Sequence, residues 1–243
     1  MLTRLRLSIP MLVLIGLGFA AAKVDASDVS SKTLRCENRE FQYLLFAPAG
    51  NSPLPAILLL HGAGDHAENQ IEPWKHLAKK EGIALIAMEL PRDPNLEDVA
   101  MKVFHCVVED AKQRTAIDPR RIYLFGNSAG GYLAYDGATL ESEYFAAAAV
   151  HAMIIADDYT WIVKKARRKT PIAIYIGDGD QFFKIEQVRK TRDLLEKEGF
   201  PLHYVELKGH DHNYYAVSDK INADAWNFLK ENKLPESNPA PKP

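Results

Sequence analysis

The sequence predicts an α/β fold: a mostly parallel, doubly wound sheet with helices on both faces and at most a short cap. Apolar, β-prone runs alternate with amphipathic or charged helical stretches along most of the chain, the pattern of strands joined by crossover helices. The runs at 55–60, 83–88 and 171–177 are nearly continuous in apolar residues, as strands covered on both faces must be. Several runs break into turns rich in Gly, Asp, Ser and His. This gathers polar side chains at one edge of the sheet, beyond the carboxyl ends of its strands.

An early strand covers 41–47. The run 55–60 breaks into His61-Gly62-Ala63-Gly64-Asp65, and an amphipathic helix spans 71–80. The strand 83–88 stops at Pro91, and a long helix over Leu96–Arg114 ends at the turn Ala116-Ile117-Asp118-Pro119. Ile122-Tyr123-Leu124-Phe125 reads as strand and gives way at once to small residues in helical spacing. Between the strand 146–150 and Pro171 lie about twenty residues, room for one short cap segment. A charged helix at 186–198 is stopped by Gly199 and Pro201. A strand at 203–207 and a last helix at 218–230, with Trp226 and Leu229 facing inward, complete the domain. No internal repeat is visible.

Ser128 stands in Gly126-Asn127-Ser128-Ala129-Gly130, between strand and helix. In that context Gly-x-Ser-x-Gly forms an elbow that lifts a serine hydroxyl clear of the sheet. The N–H of Ala129, at the helix N-terminus, is placed to help hold an oxyanion. A nucleophilic serine needs a base, and the base needs an orienting acid. Candidates follow in chain order: Asp178 and Asp180 past one strand, His210 and His212 past the next. The turn after 55–60 offers a second oxyanion donor at Ala63, with Gly64 its close rival. His61 reads as a residue that fixes its loop by hydrogen bonding, and His151 as a buried histidine at a strand end.

The segment Ile117-Asp118-Pro119-Arg120-Arg121-Ile122-Tyr123-Leu124-Phe125-Gly126-Asn127-Ser128-Ala129-Gly130-Gly131 resembles the elbow of secreted polyhydroxybutyrate depolymerases and feruloyl esterases, members of the α/β-hydrolase superfamily. Asp180-Gln181-Phe182 and Gly209-His210-Asp211-His212-Asn213-Tyr214-Tyr215 are similar to the acid and histidine segments of esterase D, the S-formylglutathione hydrolases. The resemblance covers the layout from Phe41 to Phe228, with only the short motifs specific. It implies an α/β-hydrolase fold with Ser128 as nucleophile, Asp180 as acid, His212 as base, and Ala63 and Ala129 as oxyanion donors. No cofactor is implied. The chain departs from these families in having no room for a large lid or a polymer-binding domain, and it does not match the cysteine pattern of esterase D. The expected reaction is therefore hydrolysis of small or carbohydrate-linked esters, of feruloyl or acetyl type, by a serine carboxylic-ester hydrolase. A prolyl-oligopeptidase-like serine peptidase would share fold and triad, and a non-catalytic binding protein would share the fold.

Trp161 in the cap segment, Phe182 beside the acid and Tyr214 beside the base are candidates for an apolar wall around the substrate, with ordinary packing the competing role. The His210-x-His212 pair lacks the further ligands that a metal site requires, so no metal is expected. The basic run Lys164-Lys165-Ala166-Arg167-Arg168-Lys169 reads as a solvated face, and a net charge of −2 points to no nucleic-acid partner. Arg4 and Arg6 precede an apolar run from Ile9 to Ala22, too short for a comfortable span, which reads as a signal peptide cleaved after Ala26 or Ala22, with an uncleaved N-terminal anchor as the alternative. The expected organisation is a signal peptide at 1–26, one catalytic domain at 27–234, and a Pro-rich disordered tail at 235–243. The mature protein would be secreted or periplasmic, without stable membrane association. In such a compartment Cys36 and Cys106 could form a disulfide, provided the fold brings them together. Oligomeric state is not legible.

Overall fold

The computed structural model describes residues 29–49, 53–90 and 96–236. The signal-peptide segment, with its two cleavage sites, and the tail from 237 lie outside the described residues. Eight strands form one sheet, in the order β1-β2-β4-β3-β5-β6-β7-β8. They are β1 (Ser30–Cys36), β2 (Arg39–Phe46), β3 (Leu54–Leu60), β4 (Ala84–Met88), β5 (Ile117–Asn127), β6 (Ala147–His151), β7 (Ile172–Gly177) and β8 (Leu202–Leu207). Strand β2 is antiparallel to both β1 and β4; every pair from β4 to β8 is parallel. The helices are α1 (Ala67–Glu81), α2 (Leu96–Arg114), α3 (Ala129–Leu140), α4 (Trp161–Lys165), α5 (Ile185–Lys197) and α6 (Ser218–Leu229).

The alternating faces of the strands make two cores. Leu58, Leu60, Ile86, Leu124, Val150 and Ile174 point to the face covered by α2, α3 and α5. Ile57, Leu59, Leu85, Phe125, Ala149 and Tyr175 point to the face covered by α1 and α6, where Trp74 and Trp226 pack. Burial on both faces explains the unbroken apolar runs of β3, β4 and β7.

Three details differ from the sequence expectation. Strand β1 was not anticipated. Its Ser-Ser-Lys-Thr-Leu-Arg-Cys pattern is a half-exposed edge, joined to β2 by a tight turn at Glu37 and Asn38, both at positive φ. The turn expected at Ala116–Pro119 is instead the start of β5. Ile117 pairs with Leu54, and the register shifts before Ile122 pairs with Ala56. The shift leaves Pro119 outside the regular ladder, so its missing N–H breaks no pairing. Finally, the basic run is not wholly a solvated face. Arg168 turns inward and donates from Nη2 to the carbonyls of Phe145 (2.5 Å) and Ala146 (3.0 Å), tying the cap segment to the entry of β6.

Cys36 and Cys106 form a disulfide with Cα atoms 6.2 Å apart, pinning edge strand β1 to α2. Among the described residues, no helix is long and apolar enough to cross a membrane.

Candidate active site

The site lies at the carboxyl ends of β3, β5, β7 and β8. The buried strand β5 runs straight into α3, and Ser128 sits at the junction with φ 52° and ψ −121°. A non-glycine residue with positive φ is strained, and the surrounding structure must hold it there. Two bonds do so: Ser128 N–H donates to the His151 carbonyl (2.9 Å), and Gly131 N–H donates to the Ser128 carbonyl (2.7 Å). A Cβ on Gly126 would overlap the backbone of Gly130, and one on Gly130 would overlap the carbonyl of Leu60. The two glycines of the motif thus allow the helix to begin against two strands at once.

Ser128 Oγ lies 3.0 Å from His212 Nε2, and His212 Nδ1 lies 2.7 Å from Asp180 Oδ2. With the ring proton on Nδ1 facing the carboxylate, Nε2 is the lone pair that accepts the serine hydrogen. The other carboxylate oxygen, Oδ1, accepts the N–H groups of Phe182 (2.8 Å) and Phe183 (2.9 Å). The Asp180 side chain is fully buried, so its charge is held by three donors in a dry setting.

The two open alternatives therefore separate cleanly. Asp180, not Asp178, is the hydrogen-bond partner of the imidazole, and Asp178 Oδ1 accepts the Gly209 N–H at 2.6 Å. His210 is buried and its Nε2 meets His151 Nε2 at 3.2 Å; His151 Nδ1 in turn lies 2.8 Å from Asn127 Oδ1. Burial first, then the neighbouring His210 and His212, pushes His151 down to about 3, and burial likewise lowers His210. Both rings are neutral at ordinary pH. The chain Asn127–His151–His210 couples the elbow to the histidine loop beneath the Ser–His–Asp line. Sequence reading missed this coupling, although His151 and His210 both stood at strand ends.

Ala63 lies at the tip of a turn in which Asp65 N–H donates to the Gly62 carbonyl (3.2 Å), with Gly64 at φ 77°. The left-handed Gly64 fits the third position of a type II turn. Gly62 abuts the nucleophile, since a Cβ there would lie 3.5 Å from the Ser128 Cβ. His61 holds the loop as expected: its Nε2 accepts the Leu90 N–H (3.0 Å), leaving Nδ1–H for the Gly62 carbonyl (2.8 Å). Ala129 is the first residue of α3. Ala129 thus follows Ser128 directly, and Ala63 follows Gly62, the residue that abuts the nucleophile.

The three wall candidates fare differently. Phe182 is 66% exposed, its ring centroid 4.7 Å from that of His212. Tyr214 is a correction. It is buried in the α1/α6 core, packs on Phe125, and donates its hydroxyl to Asn222 Oδ1 at 2.6 Å, so it presents no wall to a substrate. Its phenol found a partner on α6, which neighbouring motif residues do not reveal. Trp161 is 42% exposed in the cap segment, edge-on to Tyr159 and under Lys165 Nζ. Phe183, 5.8 Å from the His212 ring, is a neighbour that the sequence reading passed over. Among the described residues no three His, Cys, Asp or Glu side chains converge as metal ligands.

Known proteins of related sequence and shape can now be set beside this geometry. A thermostable esterase superposes with a TM-score of 0.68 at 20% identity, covering 86% of this chain and 64% of that one. Est1E from Butyrivibrio proteoclasticus gives 0.66 at 18% identity over 83% and 98%. An S-formylglutathione hydrolase from Agrobacterium tumefaciens gives 0.65 at 17% identity over 84% and 95%. These likenesses establish the α/β-hydrolase fold. In sequence, acyl-protein thioesterase 1 of Gibberella zeae is 22% identical over 232 residues, 80% of this chain and 97% of that protein. A stretch of 89 residues is 33% identical to a multifunctional-autoprocessing repeats-in-toxin protein of Vibrio cholerae, which covers 33% of this chain and only 2% of the toxin. The resemblance to polyhydroxybutyrate depolymerases, feruloyl esterases and esterase D is supported at the level of the α/β-hydrolase superfamily they share. The dienelactone hydrolase family model matches residues 80–232, more than half of the chain, and the protein belongs to that family.

Proposed function

We propose that this protein is a carboxylic-ester hydrolase that works through an acyl-enzyme on Ser128. Its family and its esterase relatives support a serine hydrolase acting on esters. The observation that carries the residue assignment is the unbroken line from Ser128 Oγ through His212 to Asp180, at 3.0 and 2.7 Å. His212 takes the serine hydrogen as the hydroxyl attacks the ester carbonyl, and Asp180 holds the imidazole tautomer and stabilises its charged form. The N–H groups of Ala129 and Ala63 meet the developing oxyanion. His212 then protonates the leaving alcohol, and water releases the acyl group by the reverse sequence.

Small or carbohydrate-linked esters of acetyl or feruloyl type are the proposed substrates. Support comes from the cap segment between β6 and β7, whose helical structure is one 3-10 turn at Asp157–Tyr159 and the short α4, and from Phe182, which stands exposed beside the base where an acyl or aryl group would lie. Export is proposed from the basic and apolar N-terminal segment together with the Cys36–Cys106 disulfide. The test is a substrate panel: acetyl and feruloyl esters of a sugar, p-nitrophenyl acetate and butyrate, and an aminoacyl p-nitroanilide. Preference for the sugar esters supports the reading; preference for the anilide would replace it with a peptidase.

A further inference from the structure

One side-chain pair joins the histidine loop to the turn that carries Ala63. Tyr215, three residues beyond His212, donates its hydroxyl to Asp65 Oδ2. Asp65 is the closing residue of that turn, through its own N–H on the Gly62 carbonyl. Its other oxygen, Oδ1, accepts the N–H of His66 (2.9 Å) and the amide of Asn69 (2.6 Å), which anchors the carboxylate on the first turn of α1. From the β4 side, Glu89 Oε2 accepts the Ala67 N–H (2.9 Å), and Leu90 N–H reaches His61. Two flanks of the turn are thereby fixed to rigid elements, and Tyr215 supplies the tie toward the base. Burial opposes the charge on Asp65, yet the hydrogen bonds from Tyr215 and Asn69 hold its carboxyl below the usual range. Burial and the same contact raise Tyr215, so at neutral pH the pair is a phenol on a carboxylate, a charge-assisted bond.

We infer that Tyr215 and Asp65 act as a positioning clamp, setting the alignment of the Ala63 N–H with the tetrahedral adduct on Ser128. The clamp rests on the ester-hydrolase reading above. Neither side chain touches the reacting atoms in that scheme. Its effect would appear in the transition state, because a displaced oxyanion donor weakens binding of charge that only then develops.

The experiment compares Tyr215→Phe, Asp65→Asn, the double variant and Ser128→Ala with the unaltered protein, using p-nitrophenyl butyrate and a phenylboronic acid that adds to serine. The expected result for Tyr215→Phe is a fall in kcat of about tenfold, with KM changed by less than about twofold and boronate affinity falling in step with kcat. The pH profile of kcat/KM should not move, because the His212–Asp180 contact is intact. The double variant should be no slower than Asp65→Asn alone. Unchanged kcat, additive losses, or a loss of kcat that tracks a drop in Tm would each overturn the clamp. If the unaltered protein is as inert as Ser128→Ala, the ester-hydrolase reading fails and takes the clamp with it.

Discussion

The backbone of Gly177, at the end of β7, lies directly against the carbonyl group of His210, so that any Cβ at Gly177 would overlap it. This contact brings the loop bearing Asp180 against the loop bearing His212. Around it the two loops are laced together: Gly179 N–H donates to the His210 carbonyl (2.9 Å), Asp178 N–H to the Leu207 carbonyl (3.2 Å), and Gly209 N–H to Asp178 Oδ1 (2.6 Å). Acid and base are held as one unit, and the serine elbow at the end of β5 meets it across β6.

Gly177→Ala should therefore damage the rate more than its size suggests. The added methyl must push the His210 backbone away, at a cost of about 1–3 kcal/mol in stability. A shift of His212 by a fraction of an ångström to one ångström should lower kcat/KM by about 10²-fold. Kinetics beside a thermal melt would check both numbers.

Asp180→Asn should cost roughly 10⁴-fold in kcat, the scale seen when the acid of such a triad becomes an amide and the imidazole loses its tautomer. Asp178→Asn should cost far less, because that carboxylate accepts only a loop N–H in the contacts around the site. Steady-state rates for the two variants, each checked for folding, decide between the acids.

Stability should decline on the acid side before the carboxylates titrate. His151 is buried and neutral, with its pKa pushed from 6.5 down to about 3. Below about pH 6.5 the unfolded chain gains a proton that the folded chain refuses, so stability falls as pH drops through that interval, by up to about 1.4 kcal/mol per unit. His210, lowered chiefly by burial, acts in the same direction. Melting temperatures between pH 7 and 4.5 should fall for the unaltered protein, and His151→Gln should flatten that slope.

Reduction of the Cys36–Cys106 disulfide should destabilise the fold by about 2–4 kcal/mol, since it closes a chain separation of 70 residues between β1 and α2. Those elements lie apart from the Ser128–His212–Asp180 line. The reduced protein should thus keep its turnover at temperatures below its lowered Tm, which paired melts and rates with and without reductant would show.

Much of this was legible because the signals were local. The apolar runs of β3, β4 and β7 and the bounds of α2 follow from burial on both faces and from helical period. Gly-x-Ser-x-Gly and Asp-Gln-Phe pointed to the residues now found within hydrogen-bond distance of one another. What escaped was of two kinds. Strand β1 is half exposed, so its pattern carries little hydrophobic signal, and its turn has Glu37-Asn38 where glycine would have marked it. The Tyr215–Asp65, His151–His210 and Tyr214–Asn222 pairs join residues on different loops or helices. Their partners are chosen by how the sheet's edge closes, which no local spacing encodes.

The most direct test of the account is hydrolysis of p-nitrophenyl butyrate by the protein beside Ser128→Ala, with circular dichroism to confirm that both fold. The account predicts clear turnover in the first and a loss of roughly 10⁴-fold or more in the second. Equal rates in two folded proteins would contradict it.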